Sequence, residues 1–198
     1  MAPRRNLVLM GFMGTGKTAI GRRVAAMARR PFLDMDAEIE ARAGKTISRI
    51  FAEDGEAAFR EMESSLAAEW GSEREGSVIS CGGGIVLREE NLRALGAKGI
   101  LVCLVARPEM ILERTARSTK RPLLETRERE ATIRELLAAR APLYAKVPNQ
   151  LDTSDLDPHT LALRLKSLWE GEGGQETGDR GQGAVVRSQE TGGRGPAD

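Results

Sequence analysis

An α/β fold built on a parallel sheet is what this sequence predicts, and three observations predict it. Gly11-Phe12-Met13-Gly14-Thr15-Gly16-Lys17-Thr18 satisfies G-x-x-x-x-G-K-[ST], the pattern of a phosphate-binding loop. The loop stands between an apolar run, Asn6-Leu7-Val8-Leu9-Met10, and a stretch, Ala19 through Arg30, that carries Ile20, Val24 and Met27 at helical spacing. Beyond it, short apolar runs alternate with helical stretches as far as about residue 170, as strands joined by crossover helices do.

The first element pair carries the strongest chemical signal. Glycines at 11, 14 and 16 let the backbone turn inward, so that successive N–H groups converge on one anion. The helix that starts near Lys17 adds its unsatisfied amides and the positive end of its dipole. Lys17 supplies a cation for the β- and γ-phosphates of a nucleotide, and the Thr18 hydroxyl is placed to ligate Mg²⁺. Gly14, Thr15, Gly16, Lys17, Thr18 and Ala19 are therefore the expected ATP-binding residues.

Pro31-Phe32-Leu33-Asp34-Met35-Asp36 reads as a second strand ending in two carboxylates. If the strand persists to Asp36, alternation puts both on one face, at the sheet edge where such folds bind ligands. A carboxylate there can hold Mg²⁺ through water or accept a proton from a hydroxyl. Asp36 can equally cap a helix beginning at Ala37. A helical region follows from about Thr46 to Trp70, broken at Asp54-Gly55, with Phe59, Met62 and Leu66 on an apolar stripe. Arg60, four residues after Glu56, reads by itself as half of an ordinary exposed pair.

Ser77-Val78-Ile79-Ser80-Cys81 is a third buried strand, and it runs into Gly82-Gly83-Gly84. Three glycines there leave room for a ligand to lie close to the backbone. Arg88–Leu95 reads as a helix, Ile100–Val105 as a central strand, and Pro108 as the start of another helix. Arg114 to Pro122 then packs four cations into a segment poor in large apolar residues, as a mobile lid would. A helix from about Arg127 to Arg140, a short strand at Leu151-Asp152-Thr153 and an amphipathic helix over Pro158–Trp169, capped by Asp157, complete the predicted domain. From Gly171 onward there are eight further glycines and almost nothing to bury, so 171–198 reads as a disordered tail.

Bulk composition narrows the function. Among 198 residues, 30 basic and 29 acidic side chains leave a net charge of +1, and 4% of residues are aromatic, so neither a basic field nor a stacking platform for nucleic acid is expected. No apolar run approaches the length of a membrane span, and the N-terminus lacks a signal-peptide pattern. Cys81 and Cys103, each inside a strand-like run, read as buried reduced thiols rather than a disulfide. These features point to a cytoplasmic protein with no membrane or nucleic-acid partner, and its size allows a monomer. The single histidine, His159, falls in the first turn of the last predicted helix and is expected to be solvated, so histidine is not the expected general base.

The phosphate loop, Leu33-Asp34-Met35-Asp36, Phe59-Arg60-Glu61, Gly82-Gly83-Gly84, and Arg121-Pro122-Leu123-Leu124 with Arg140-Ala141-Pro142-Leu143-Tyr144 stand in one order, which resembles the shikimate kinases. The resemblance covers about residues 6–169. It implies a three-layer α/β/α fold with a five-stranded parallel sheet and a mobile lid, and transfer of the γ-phosphoryl of ATP to the 3-hydroxyl of shikimate in aromatic amino-acid biosynthesis. It implies Asp36 as the carboxylate that holds the substrate hydroxyls, and Asp34 with Thr18 at one Mg²⁺. Arg60 and Arg140 would grip the shikimate carboxylate, and Gly82, Gly83 and Gly84 would approach its ring. Arg121 would be the lid arginine that reaches phosphates and substrate, and Arg114 the arginine beside the adenine. On this reading Asp36, Lys17 and Arg121 are catalytic. Residues 1–170 would form the domain, with substrate-binding helices over about 36–70, a lid over about 114–127 and the tail outside it. The competing readings are another small-molecule kinase, of gluconate or nucleotide type, and an ATP-binding switch that transfers nothing.

Overall fold

The structure is a computed structural model and describes residues 5–116 and 129–172. A five-stranded sheet runs through its centre in the order β2-β3-β1-β4-β5, and every neighbouring pair is parallel. The strands are β1 (Asn6–Met10), β2 (Phe32–Asp34), β3 (Val78–Ser80), β4 (Gly99–Val105) and β5 (Asn149–Asp152). Helices α1 (Lys17–Ala28), α2 (Met35–Ala43), α3 (Ile47–Glu53), α4 (Gly55–Glu73), α5 (Glu89–Ala97), α6 (Pro108–Ala116), α7 (Arg129–Tyr144) and α8 (Pro158–Glu172) connect and follow them. A 3₁₀ turn, Ile85–Leu87, leads from β3 toward α5.

The strand period divides the core. In β1, Leu7 and Leu9 pack with Ile20 and Val24 of α1 and Leu161 and Leu165 of α8. Val8 and Met10 point the other way, among Phe59, Leu66 and Trp70 of α4 and Leu95 of α5. β1 is buried on both faces, which is why it reads as a continuous apolar run rather than an alternating one. Because β1 lies between β3 and β4, the chain turns one way from β1 to β3 and the other way to β4. The C-terminal ends of these strands border the crevice where ligands of such sheets bind. Trp169 of α8 donates to the Arg5 carbonyl at 2.8 Å and ties the last helix to the entry of the first strand.

Several boundaries differ from those expected. β2 stops at Asp34, which accepts from the Ala37 amide at 3.4 Å as the N-cap of α2, so Asp36 belongs to a helix and not to a strand end. The capping role considered for Asp36 thus falls to Asp34. Arg114, expected at the start of the lid, lies within α6, and the rest of that segment, 117–127 with Arg121, is outside the described residues. The helix carrying Arg140 continues through Pro142 to Tyr144; a proline near the end forfeits one amide donor without stopping the helix. α8 extends to Glu172, so the first two residues expected in the tail are helical, and 173–198 lies outside the described residues.

Close packing of α4 on α5 needs Gly71, where an added Cβ would lie 2.3 Å from the Ala94 carbonyl oxygen. Gly71→Ala is expected to destabilise the fold by about 1–3 kcal/mol, as overpacking against backbone does. Urea unfolding reads this directly. An unchanged midpoint would show that α5 shifts without cost.

Candidate active site

The loop after β1 is built to receive an anion. Gly11 has φ 135°, and an added Cβ would lie 2.1 Å from the Leu104 carbonyl oxygen, so no other residue fits where the loop crosses β4. Gly16 takes φ 93° as the N-cap of α1 and offers no side chain to its amides. With no carboxylate in the first turn either, the positive end of α1 remains open to a phosphate. Lys17, 9% exposed, folds its ammonium back over the loop and donates to the Gly11 carbonyl at 2.8 Å and the Phe12 carbonyl at 2.9 Å. The Thr15 hydroxyl closes the loop from within by donating to the Phe12 carbonyl at 2.8 Å.

Thr18, Asp34 and Ser80 meet at the loop's edge. The Thr18 hydroxyl donates to Asp34 Oδ2 at 3.0 Å and lies 3.4 Å from the Ser80 hydroxyl, while Asp34 Oδ1 serves the helix cap. Asp34 stands opposite Ser80 in the β2–β3 register. The donor set is one hydroxyl and one carboxylate beside a phosphate loop. Among the described residues no group of three or more His, Cys, Asp or Glu side chains could hold a metal by itself. These donors fit Mg²⁺, which keeps several waters and takes its remaining oxygens from one or two carboxylates and a nucleotide's phosphates.

Beyond β3, the three glycines lie among side chains from three helices. At Gly82 an added Cβ would be 2.7 Å from Asp36 Oδ1 and 3.0 Å from Glu63 Oε1. At Gly84 it would be 2.1 Å from Arg60 Nη1. At Gly83 the same point has Gly11 O at 3.6 Å, Arg140 Nη1 at 3.7 Å and the Met13 amide nitrogen at 3.8 Å. The ridge therefore gathers Asp36 of α2, Arg60 and Glu63 of α4, Arg140 of α7 and the phosphate loop around one backbone segment. Arg140 also lies over the Phe12 ring, 5.8 Å from its centroid, and its Nη1 reaches the Gly83 carbonyl at a long 3.5 Å. Tyr144 donates to the same carbonyl at 2.7 Å.

Arg60 departs from its sequence reading. Its side chain is 12% exposed and pairs with Glu56 at 3.0 Å and with Glu63, itself 1% exposed, at 2.8 Å. Glu63 escapes the sequence reading altogether. The available signal is its position, four residues after Phe59 and three before Leu66, which places a carboxylate on the apolar stripe of α4. Among the described residues Glu63 Oε1 has no hydrogen-bond partner. Burial raises its pKa, the Arg60 guanidinium opposes that rise, and the nearby Asp36 charge adds to it.

Arg114 donates to the Thr153 carbonyl at 2.6 Å and the Thr153 hydroxyl at 3.1 Å, with a longer contact to the Gly14 carbonyl at 3.5 Å. It thus ties α6 to the phosphate loop and to the segment after β5. Cys81 and Cys103 are buried free thiols, and burial pushes both pKa values up, that of Cys103 to about 12, which suits inert core residues. His159 is exposed at the start of α8, where its amide donates to Asp157 at 2.8 Å. A cavity of about 460 Å³ between β4, α6 and α7 is lined mainly by apolar side chains such as Ile111 and Leu137, and lacks the carboxylates described above.

A family model described as "Shikimate kinase" matches residues 13–168. The chain is 47% identical over 167 residues to the shikimate kinase of Desulforudis audaxviator, covering 84% of this chain and 87% of that one. It is 45% identical over 152 residues to the shikimate kinase of Pelotomaculum thermopropionicum, covering 77% and 88%. Among solved structures, shikimate kinase from Acinetobacter baumannii in complex with shikimate superposes with a TM-score of 0.79 at 38% identity, covering 85% of this chain and 94% of that one.

The raised pKa of Glu63 gives a stability prediction with a definite sign. Above the ordinary glutamate value of 4.5 the folded state holds this proton more tightly than the unfolded state, so the contribution of Glu63 to stability is lost as pH rises through its folded pKa. Glu63→Gln removes that dependence. Its unfolding free energy relative to wild type is expected to improve as pH rises from 4.5 toward neutrality, read by denaturant titration at several pH values. Parallel profiles for the two proteins would contradict it.

Proposed function

The chain belongs to the shikimate kinase family, and from that premise we propose how its own residues carry the reaction. The reaction is transfer of the γ-phosphoryl group of ATP to the 3-hydroxyl of shikimate, giving shikimate 3-phosphate on the route to chorismate and the aromatic amino acids. One observation above all supports the division of labour: a side-chain-free ridge that gathers two carboxylates, Asp36 and Glu63, and two arginines beside a phosphate loop.

The amides of Gly14 to Ala19, with the start of α1, receive the phosphates of ATP. Lys17 exchanges its loop carbonyls for phosphate oxygens, so the charge that lies over the loop becomes the charge that neutralises the nucleotide. Mg²⁺, one per subunit and held by Thr18 and Asp34, supplies further neutralisation of the phosphates when bound. Arg60 and Arg140 take the carboxylate of shikimate, since forked guanidinium donors match a planar anion. Gly82, Gly83 and Gly84 let the ring lie against bare backbone.

Asp36 orients the acceptor hydroxyl and takes its proton. It need not be a strong base, because transfer through a loose transition state depends on position and charge more than on early proton removal. Arg114 stands beside the adenine, and Arg121, which lies outside the described residues, completes the charge around the transferred group. The catalytic unit ends with α8, and 173–198 contributes no chemistry. We read the protein as a cytoplasmic monomer that engages neither nucleic acid nor membrane. No described helix is long and apolar enough to cross a membrane.

The reading is tested by ADP production from MgATP with shikimate, gluconate, AMP or no acceptor. Stimulation by shikimate alone is expected; equal stimulation by gluconate or AMP would move the acceptor assignment to them. Asp36→Asn is expected to lower kcat by about 100- to 10,000-fold, the range a positioned acid–base group contributes, while ATP affinity stays within about threefold. Turnover near the wild-type value would remove Asp36 from the chemistry.

A further inference from the structure

Tyr144, in the last turn of α7, is 6% exposed, yet its hydroxyl donates to the Gly83 carbonyl at 2.7 Å. Arg140 Nη1, one turn earlier on the same helix, reaches the same oxygen at 3.5 Å. Two donors therefore address one acceptor, and the short bond belongs to the phenol. Burial pushes the phenol's pKa up to about 12 against the lowering effect of the neighbouring Arg140 guanidinium, so the group is a neutral donor at neutral pH.

Competition between the two donors has a chemical consequence. Gly83 is half-buried, and a carbonyl with restricted access to water is best served by a nearby donor. With Tyr144 in place, Arg140 can give up its long contact without stranding the Gly83 oxygen. Its guanidinium is then available to an external carboxylate. Without the hydroxyl, Arg140 becomes the partner of that carbonyl, and each acceptor molecule must compete with it. The position of Gly83 makes this matter, because an added Cβ there would face Gly11 O, the Met13 amide and Arg140, in the gap between the phosphate loop and α7.

We infer that Tyr144 is a positioning residue for acceptor binding: its hydroxyl holds the Gly83 carbonyl toward α7 and frees Arg140 for the carboxylate of shikimate. The inference rests on the acceptor-binding role proposed above for Arg140.

Tyr144→Phe keeps the buried ring and removes the hydroxyl. The KM for shikimate is expected to rise about 5- to 20-fold, the scale of one hydrogen bond lost to competition, while kcat and the KM for ATP stay within about twofold. Arg140→Lys alone is expected to raise the KM for shikimate as well. In the double variant, Tyr144→Phe should add less than about twofold to the effect of Arg140→Lys, because it acts through that guanidinium. An unchanged KM for shikimate in Tyr144→Phe, with a raised one in Arg140→Lys, would overturn the inference and leave the role of Arg140 standing. An unchanged KM in Arg140→Lys would overturn both. A parallel change in all constants with a lowered thermal midpoint in Tyr144→Phe would show the hydroxyl to be merely structural, and would overturn the inference too.

Discussion

The end of β3 has no room for side chains, and the arrangement of the site depends on that lack of space. None of Gly82, Gly83 and Gly84 has a positive φ, so the chain does not need glycine there for its conformation. It needs the volume. Carboxylate oxygens of Asp36 and Glu63 occupy the space beside Gly82, and the Arg60 guanidinium occupies the space beside Gly84. A methyl group at either place would push a charged group away from the backbone it now touches. Three helices can converge on one strand end because the strand end is bare.

The same economy of space separates the two aspartates. On a continuing strand, Asp34 and Asp36 would share a face and compete for one task. Ending β2 at Asp34 places Asp36 in the first helical turn, about 200° further around the helix axis, and the two carboxylates face different partners. Asp34 divides its oxygens between the α2 cap and Thr18; Asp36 meets Gly82. Asp34 thereby stays with the start of α1 and Asp36 with the glycine ridge.

How much of this is legible in the sequence varies with the kind of signal. The cores of β1, β3 and β4 can be read because they are uninterrupted apolar runs, and the phosphate loop because its glycines and lysine have a fixed spacing with a physical cause. The end of β2 cannot be read so well. Asp is a good cap and Met tolerates a strand or a helix, so Asp34-Met35-Asp36 suits either element until the tertiary fold decides. Glu63 is hidden for another reason: a glutamate next to Arg60 at i+3 looks like one more exposed pair, and its burial depends on Gly82 arriving from 19 residues away. Tyr144 looks like core by composition, and only the Gly83 carbonyl shows what its hydroxyl is for. Arg114 reads as part of a cationic run, whereas its bonds to Thr153 join α6 to a loop that follows in the chain nearly 40 residues later.

The pair of Arg60 and Glu63 illustrates why geometry rather than stability is the better account of buried charge in this site. Removing two ions from water costs more than their attraction commonly returns, and one Glu63 oxygen has no partner among the described residues besides. An apolar pair of similar volume would serve the core at least as well. What such a pair could not do is hold a guanidinium against bare backbone, as Glu56 and Glu63 hold that of Arg60 beside Gly84. Phosphoryl transfer depends on positioning, and an arginine free to choose among rotamers would lose that freedom anew with each substrate molecule. Glu63 removes the choice before a substrate arrives, whereas the Gly83 carbonyl takes its short bond from Tyr144 and only a long contact from Arg140. One arginine is fixed by a buried anion and the other is released by a neutral donor. On the roles proposed for Arg60 and Arg140, both arrangements serve one end, the presentation of two forks to the single carboxylate of the acceptor.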